Sequence, residues 1–305
     1  MTNILKIVRW KNLIIIALVQ FLIKYALFEP FNVEVALDTF GYTLLVLATV
    51  STAAAGYVIN DIYDIKTDTI NDPNSVIVGK SISESNAYIL FIVLSVIGVG
   101  LGFYLSNDVG HSGFASLFVV ISALLYVYAS YLKKMMLVGN IVISVLVAMT
   151  IIMVALFELL PTVTASNQQT QLTYFKILLD YALFAFVVSF IREIVKDIED
   201  IDGDFNAGMN TLPIVIGRER AGKLVFFLFF IPIIGLIYYV TTYLYKQPIA
   251  VGYFLVLVIG PLIYGCVKSY SATSKKDWTF LSRLLKVIMV TGICSLLLYK
   301  FILLK

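Results

Sequence analysis

Nine runs of about 20 apolar residues, parted by short polar connections, leave this chain few ways to fold. A run of that length crosses the hydrocarbon of a bilayer as a helix, because its backbone amides find no water there and must bond to one another. The runs lie near 12–29, 39–59, 86–106, 113–131, 138–158, 172–191, 223–245, 249–268 and 284–303. Of the 305 residues, 60% are hydrophobic and 13% charged, about half the charge of a soluble globular chain. The fold expected is all-α, a polytopic membrane protein of about nine transmembrane helices. Residues 1–305 read as a single integral-membrane domain with no soluble module attached. The N-terminal run is longer than a secretory h-region and no small-residue cleavage site follows it, so a retained first span is expected.

Nine spans place the termini on opposite faces. On the N-terminal face fall 17 of the 22 Lys and Arg residues, with four on the other face and Lys24 inside the first span. By the positive-inside rule that face is cytoplasmic, in a prokaryotic inner membrane, with membrane lipid as the surroundings. Nothing in the charge pattern points to nucleic acid. Lys24 shares a helix face with Asn12, Ile16 and Gln20, and is expected to snorkel to the nearby outer surface. Cys266 and Cys294 lie within spans and read as packing residues, which excludes a disulfide framework. His111, the only histidine, falls in an outer connection, so histidine-based metal or triad chemistry is excluded.

The second span runs out in "NDIYDIKTDTIND", five polar groups (Asn60, Asp61, Asp64, Asp68, Asp72) in thirteen residues. The sixth runs out in "REIVKDIEDIDGD". Asp61, Asp64 and Asp68 read D-x-x-D-x-x-x-D, and so do Asp197, Asp200 and Asp204, with all three pairs offset by 136 residues. Downstream, Pro73 leads to "VIVG" ending at Gly79, and Pro213 leads to "IVIG" ending at Gly217. These matches suggest two related four-helix halves plus a ninth helix, around a central cavity, with both clusters on one membrane face.

Residues at i, i+3 and i+7 share one helix face. If both spans extend past the hydrocarbon, each triad forms a stripe of carboxylates, continued by Tyr57 and Asn60 in one case and by Ser189 and Glu193 in the other. Stacked carboxylates near a membrane call for a cation. Oxygen-only donors suit Mg²⁺ or Ca²⁺, and Mg²⁺ takes one or two carboxylates and completes its shell with water and phosphate oxygens. Two such stripes could hold metal ions that grip a diphosphate, with a hydrocarbon tail among the helices. The alternative is a pair of solvated turns neutralised by Lys66, Lys80, Arg192 and Lys196.

"NDIYDIKTD" and "DIEDIDGD" resemble the two aspartate-rich motifs of the UbiA-type intramembrane prenyltransferases. The resemblance covers most of the chain. It implies that Asn60, Asp64 and Asp68 form the first motif and Asp200 and Asp204 the second, with Asp61 and Asp197 as further metal-ligand candidates. It also implies Mg²⁺ as cofactor, for which Mn²⁺ could substitute, and a polyprenyl diphosphate as donor. "YLKKMMLVGN" is similar to a basic segment of the family, placing Tyr131 and Lys133 on the diphosphate; positive-inside topology alone would equally account for Lys133 and Lys134. "RWKN", Arg9 to Asn12, resembles the start of the family's first helix, which implies Asn12 as a further substrate-binding residue. The second motif is most similar to the branch that geranylgeranylates geranylgeranylglycerol phosphate. The implied acceptor is a lipid alcohol whose phosphate Arg192, Lys196 and Arg218 would help to hold; an aromatic acceptor is the alternative. A basic residue is common in the family where this chain has Ser75, and Lys80 is the candidate to compensate.

Two other classes carry clustered carboxylates. A cation transporter would place them at mid-membrane on broken helices, rather than at helix ends. The D-G-x-x-A-R element of CDP-alcohol phosphotransferases is absent.

Overall fold

The computed structural model describes residues 2–74 and 76–300. Among them, nine helices are long and apolar enough to cross a membrane. They are α1 (Trp10–Phe31), α2 (Thr39–Tyr63), α3 (Glu84–Asp108), α4 (Ser112–Ser130), α5 (Val138–Thr162), α6 (Gln168–Asn206), α7 (Arg218–Leu244), α8 (Pro248–Ser271) and α9 (Lys275–Leu298). The fold is all-α and the protein is an integral, multi-pass membrane protein. Two expected boundaries move furthest: the sixth helix runs on to Asn206, and the ninth begins at Lys275. The last residues of the ninth expected span, 301–303, and Ser75 lie outside the described residues.

The helix starts are set by side chains that take up free backbone amides. Asp38 accepts from the Gly41 amide at 2.7 Å and starts α2. Ser83 accepts from the Asn86 amide at 3.3 Å and starts α3. Ser274 and Asp277 form a reciprocal capping box at α9.

The chain packs as two compact units. The first comprises 1–21, 32–134 and 150–178; the second comprises 22–31, 135–149 and 179–305. In the first unit, Ala54, Val58, Ile59 and Ile62 of α2 join Ile7, Val8, Val78, Ala87 and Ala129 in one core. Small residues let these helices close up, as is usual in a membrane where packing rather than hydrophobic transfer drives association. A Cβ on Gly98 of α3 would stand 2.4 Å from Thr52 Oγ1 and 3.2 Å from the Ala48 carbonyl oxygen. In the second unit, Ile191, Ile194, Val195 and Ile198 of α6 pack with Val225, Phe229, Leu262, Trp278, Leu281, Leu285 and Ile288. At 100° per residue, that apolar face leaves Asp197, Asp200 and Asp204 on the other side of α6. Burial of one face thus aims the other.

Lys24 does not snorkel. It is 3% exposed, inside the π-helical stretch Ile23–Phe28. Gln20 is fully buried and donates to Thr49 Oγ1 at 3.2 Å and to the Thr150 carbonyl at 2.9 Å. His111 is exposed and stacks on Phe114, with centroids 5.0 Å apart. Cys266 is a buried free thiol and Cys294 a half-buried one.

Replacing Gly98 with alanine forces the methyl against Thr52 and the α2 backbone. Thermal unfolding in detergent should show a loss of about 1–3 kcal/mol, the usual cost of overpacking, whereas Gly100→Ala, with open space around it, should change little.

Candidate active site

The first acidic cluster lies where α2 ends. Its three carboxylates are not a stripe on one continuous helix, as the spacing suggests. The helix stops at Tyr63, Asp64 takes φ −94° and ψ 2°, and a second helix runs Ile65–Asn71. Side-chain bonds gather at this residue: Asn60 donates its side-chain amide to the Asp64 carboxylate, and Thr67 Oγ1 donates to the Asp64 carbonyl at 2.9 Å and to Oδ1 at 3.3 Å. The backbone ladder runs on across it, with the Asp64 N–H donating to the Asn60 carbonyl at 2.9 Å and the Asp68 N–H to the Asp64 carbonyl at 2.8 Å.

Two cations from elsewhere in the same unit meet this cluster. Lys133 forms an ion pair with Asp64 Oδ1, with the lysine side chain 7% and the carboxylate 17% exposed. Arg9 Nη2 lies 2.9 Å from Asp61 Oδ1, and its guanidinium sits 5.2 Å from the centroid of the Tyr57 ring. Burial works to lower the Arg9 pKa, but the charge of Asp61, with Tyr57 and Asp64, outweighs it, and the pKa is raised. Arg9 also holds a left-handed backbone at φ 50°, which a non-glycine residue adopts only when its surroundings impose it. Asn12, three residues on, is half-buried and donates its backbone N–H to the Arg9 carbonyl at 2.7 Å. Tyr131 is 62% exposed. Lys80 Nζ reaches the Pro73 carbonyl at 2.6 Å.

The second cluster differs in build. Asp197, Asp200 and Asp204 all lie within the uninterrupted α6, so here the one-face stripe holds. Asn140, at the start of α5 and only 6% exposed, donates to Asp197 Oδ2 at 2.8 Å. Asp204 is 9% exposed. Arg192 and Lys196 both turn to Glu193, at 2.8 Å and 3.9 Å. Arg218 lies 3.6 Å from Asp202, on the side of α6 away from the triad. The structure therefore does not gather Arg218 with Arg192 and Lys196. On that other side Glu199 accepts from Thr279 Oγ1 of α9 at 2.7 Å, which ties down the end of α6.

Two residues escaped the sequence reading. Arg9 was legible only as part of "RWKN", with nothing to pair it with Asp61. Asn140 sits in "LVGN", and it is the third residue of its helix, as Asn12 is of α1. That shared position was the available signal.

The donors fit a hard cation. Asn60 Oδ1 is buried and has no hydrogen-bond partner among the described residues, beside the Asp64 carboxylate that its own amide nitrogen holds. A buried amide oxygen left without a donor is what a cation would satisfy. Among the described residues, no three His, Cys, Asp or Glu side chains form a cage of their own.

A profile of the UbiA prenyltransferase family matches residues 14–290. The chain is similar to the digeranylgeranylglyceryl phosphate synthase of Methanosphaera stadtmanae, 27% identical over 285 residues, which is 92% of this chain and 93% of that protein. It is 31% identical to the synthase of the same name from Korarchaeum cryptofilum over 253 residues, 81% of each chain. Solved structures share the fold. A UbiA homolog from Aeropyrum pernix superposes with a TM-score of 0.66 at 15% identity, over 96% of this chain and 97% of that one. A homolog from Archaeoglobus fulgidus bound to DMAPP and Mg²⁺ gives 0.57 at 15% identity, over 96% and 99%. The chain belongs to the UbiA prenyltransferase family and is a prenyl-transferring enzyme.

Proposed function

We propose that this enzyme transfers a polyprenyl group, geranylgeranyl in the first instance, from its diphosphate to the hydroxyl of a lipid alcohol such as geranylgeranylglycerol phosphate. The observation that carries the metal and donor part is Asn60 Oδ1, buried and partnerless beside Asp64 within a D-x-x-D-x-x-x-D motif that the chain repeats. The acceptor rests on relatives named for digeranylgeranylglyceryl phosphate synthesis. The reaction takes place at the cytoplasmic face of the cell membrane, the face that the positive-inside rule gives to both motifs.

Asn60, Asp64, Asp68, Asp200 and Asp204 are the residues that would hold Mg²⁺. When bound, the ion supplies charge neutralisation for the departing diphosphate. The chain's own residues do the rest. Asn60 and Thr67 fix the Asp64 carboxylate. Lys133, on a long stem with three donors, can transfer from Asp64 to a phosphate oxygen; Tyr131 stands two residues before it. Arg192 and Lys196 are the cations available to an acceptor phosphate near the second motif. The apolar helices exclude water from the allylic carbon, so that the acceptor hydroxyl rather than water takes the prenyl group.

Three outcomes are expected with purified protein in lipid, geranylgeranyl diphosphate as donor, and geranylgeranylglycerol phosphate offered beside two aromatic acids. Product forms on the glycerol acceptor; product on an aromatic acid alone would keep the chemistry and overturn the acceptor. Chelation with EDTA stops transfer, and Mg²⁺ restores it, with Mn²⁺ as a partial substitute. Asp64→Ala and Asp200→Ala each reduce the rate about a hundredfold or more, as loss of one stabiliser of developing charge does, while remaining folded and membrane-inserted. Wild-type rate in either variant would remove the metal–diphosphate reading and return an ion-transport role to consideration.

A further inference from the structure

Each acidic triad begins with an aspartate whose partner comes from the start of another helix. In the first unit Asp61 is bound by Arg9, the residue before α1. In the second, Asp197 is bound by Asn140, the third residue of α5. Asp61 and Asp197 are the corresponding members of the repeat, 136 residues apart. The two helix starts also match. Arg9 and Leu137 directly precede α1 and α5, and both hold left-handed backbone, at φ 50° and φ 62°. Among the described residues, only Asn32 is a third non-glycine with positive φ. Downstream the pattern recurs, since Gly79 and Gly217 end the two "Pro…VIVG" and "Pro…IVIG" segments at φ 82° and φ 89°.

We propose that Asp61 and Asp197 are positioning residues and not metal ligands. Each clasps the first helix of its repeat to the helix that carries the motif, leaving Asp64, Asp68, Asp200 and Asp204 to the metal. The residue types sort accordingly. Asn140 is short, buried, and set in a helix whose next turn is fixed by Ser144 Oγ bonding to the Asn140 carbonyl at 2.6 Å. It cannot swing aside to release Asp197. Arg9 is longer, but its strained backbone and the Tyr57 ring pin it over Asp61. Lys133 on Asp64 has a flexible stem and no such restraint, so Asp64 can be released where Asp61 and Asp197 cannot. Four carboxylates also suffice for two ions that each take one or two.

The metal half of this inference rests on the function proposed above; the clasp half does not. Two measurements separate them. Thermal unfolding of Asn140→Ala, Asp197→Ala and the double variant should show non-additive losses, the double melting no lower than the worse single. The set Arg9→Ala, Asp61→Ala and their double should behave alike. Additive losses would overturn the clasps, whether or not the enzyme binds a diphosphate. Binding of geranylgeranyl diphosphate as a function of Mg²⁺ then tests the metal half. Asp197→Asn keeps an oxygen to accept from Asn140, and its Mg²⁺ half-saturation should move less than about threefold, against more than about tenfold for Asp200→Asn. A shift at Asp197→Asn as large as that at Asp200→Asn would make Asp197 a ligand and overturn the inference. Absence of any Mg²⁺-dependent binding in the parent would instead remove the functional reading, with the melting series still deciding the clasps.

Discussion

Carboxylates gathered at the ends of apolar helices repel one another, and much of the local structure answers that repulsion. Two unit charges roughly 6 Å apart, the spacing of helix neighbours, cost about 3 kcal/mol at an effective dielectric of about 20. The two clusters meet this differently. Around the first, Arg9 and Lys133 bring positive charge to Asp61 and Asp64. At the second, a neutral amide meets Asp197, while the two nearest cations in sequence turn to Glu193. A guanidinium compensates charge; an amide only orients it. The two motifs are alike in spacing and unlike in electrostatics.

The spans were legible because the bilayer enforces them: length and apolarity suffice when no water reaches the backbone. The carboxylate triads were legible for a related reason, since charge at a span's end is costly enough to stand out. What the spacing could not give was local backbone geometry. D-x-x-D-x-x-x-D predicts one face of one helix, which α6 obeys and α2 does not. At Asp64, where the backbone leaves helical values, the side chains of Asn60 and Thr67 both bond to that one residue. The corresponding positions after Asp197 carry Gly203 and no such hydroxyl. Lys24 was misread for another reason: nearness to a span's end is legible in sequence, whereas burial by the surrounding helices, which leaves it 3% exposed, is not.

Partners across chain distance were the least legible. Arg9 and Asp61 are 52 residues apart, and Asn140 and Asp197 are 57 apart. The shared third-residue position of Asn12 and Asn140 singles out the asparagine but says nothing of which carboxylate it meets. Only its burial and its bond to Asp197 show that. The apolar faces explain how such short side chains can be trusted with position. Ile191, Ile194, Val195 and Ile198 lock the rotation of α6, and Thr279 holds Glu199 from the far side. A 2.8 Å bond from a buried asparagine then needs no search; the helices already deliver both ends.

The same logic separates what holds the site from what can work in it. A short side chain on a buried helix has one arrangement, so it can fix a carboxylate but cannot exchange it. A lysine has four rotatable bonds and an ammonium that accepts any oxygen in reach. Lys133 is 7% exposed, and a charge so buried cannot be left alone without a penalty of several kcal/mol. It must therefore always have an anion. On the proposed reading that anion is Asp64 before the donor arrives and a phosphate oxygen afterwards, so the ammonium is never stranded while it changes partner. The exchange frees the carboxylate beside Asn60 Oδ1, a buried oxygen without a hydrogen-bond donor among the described residues. Arrival of the diphosphate would then complete the cation site that its own departure requires.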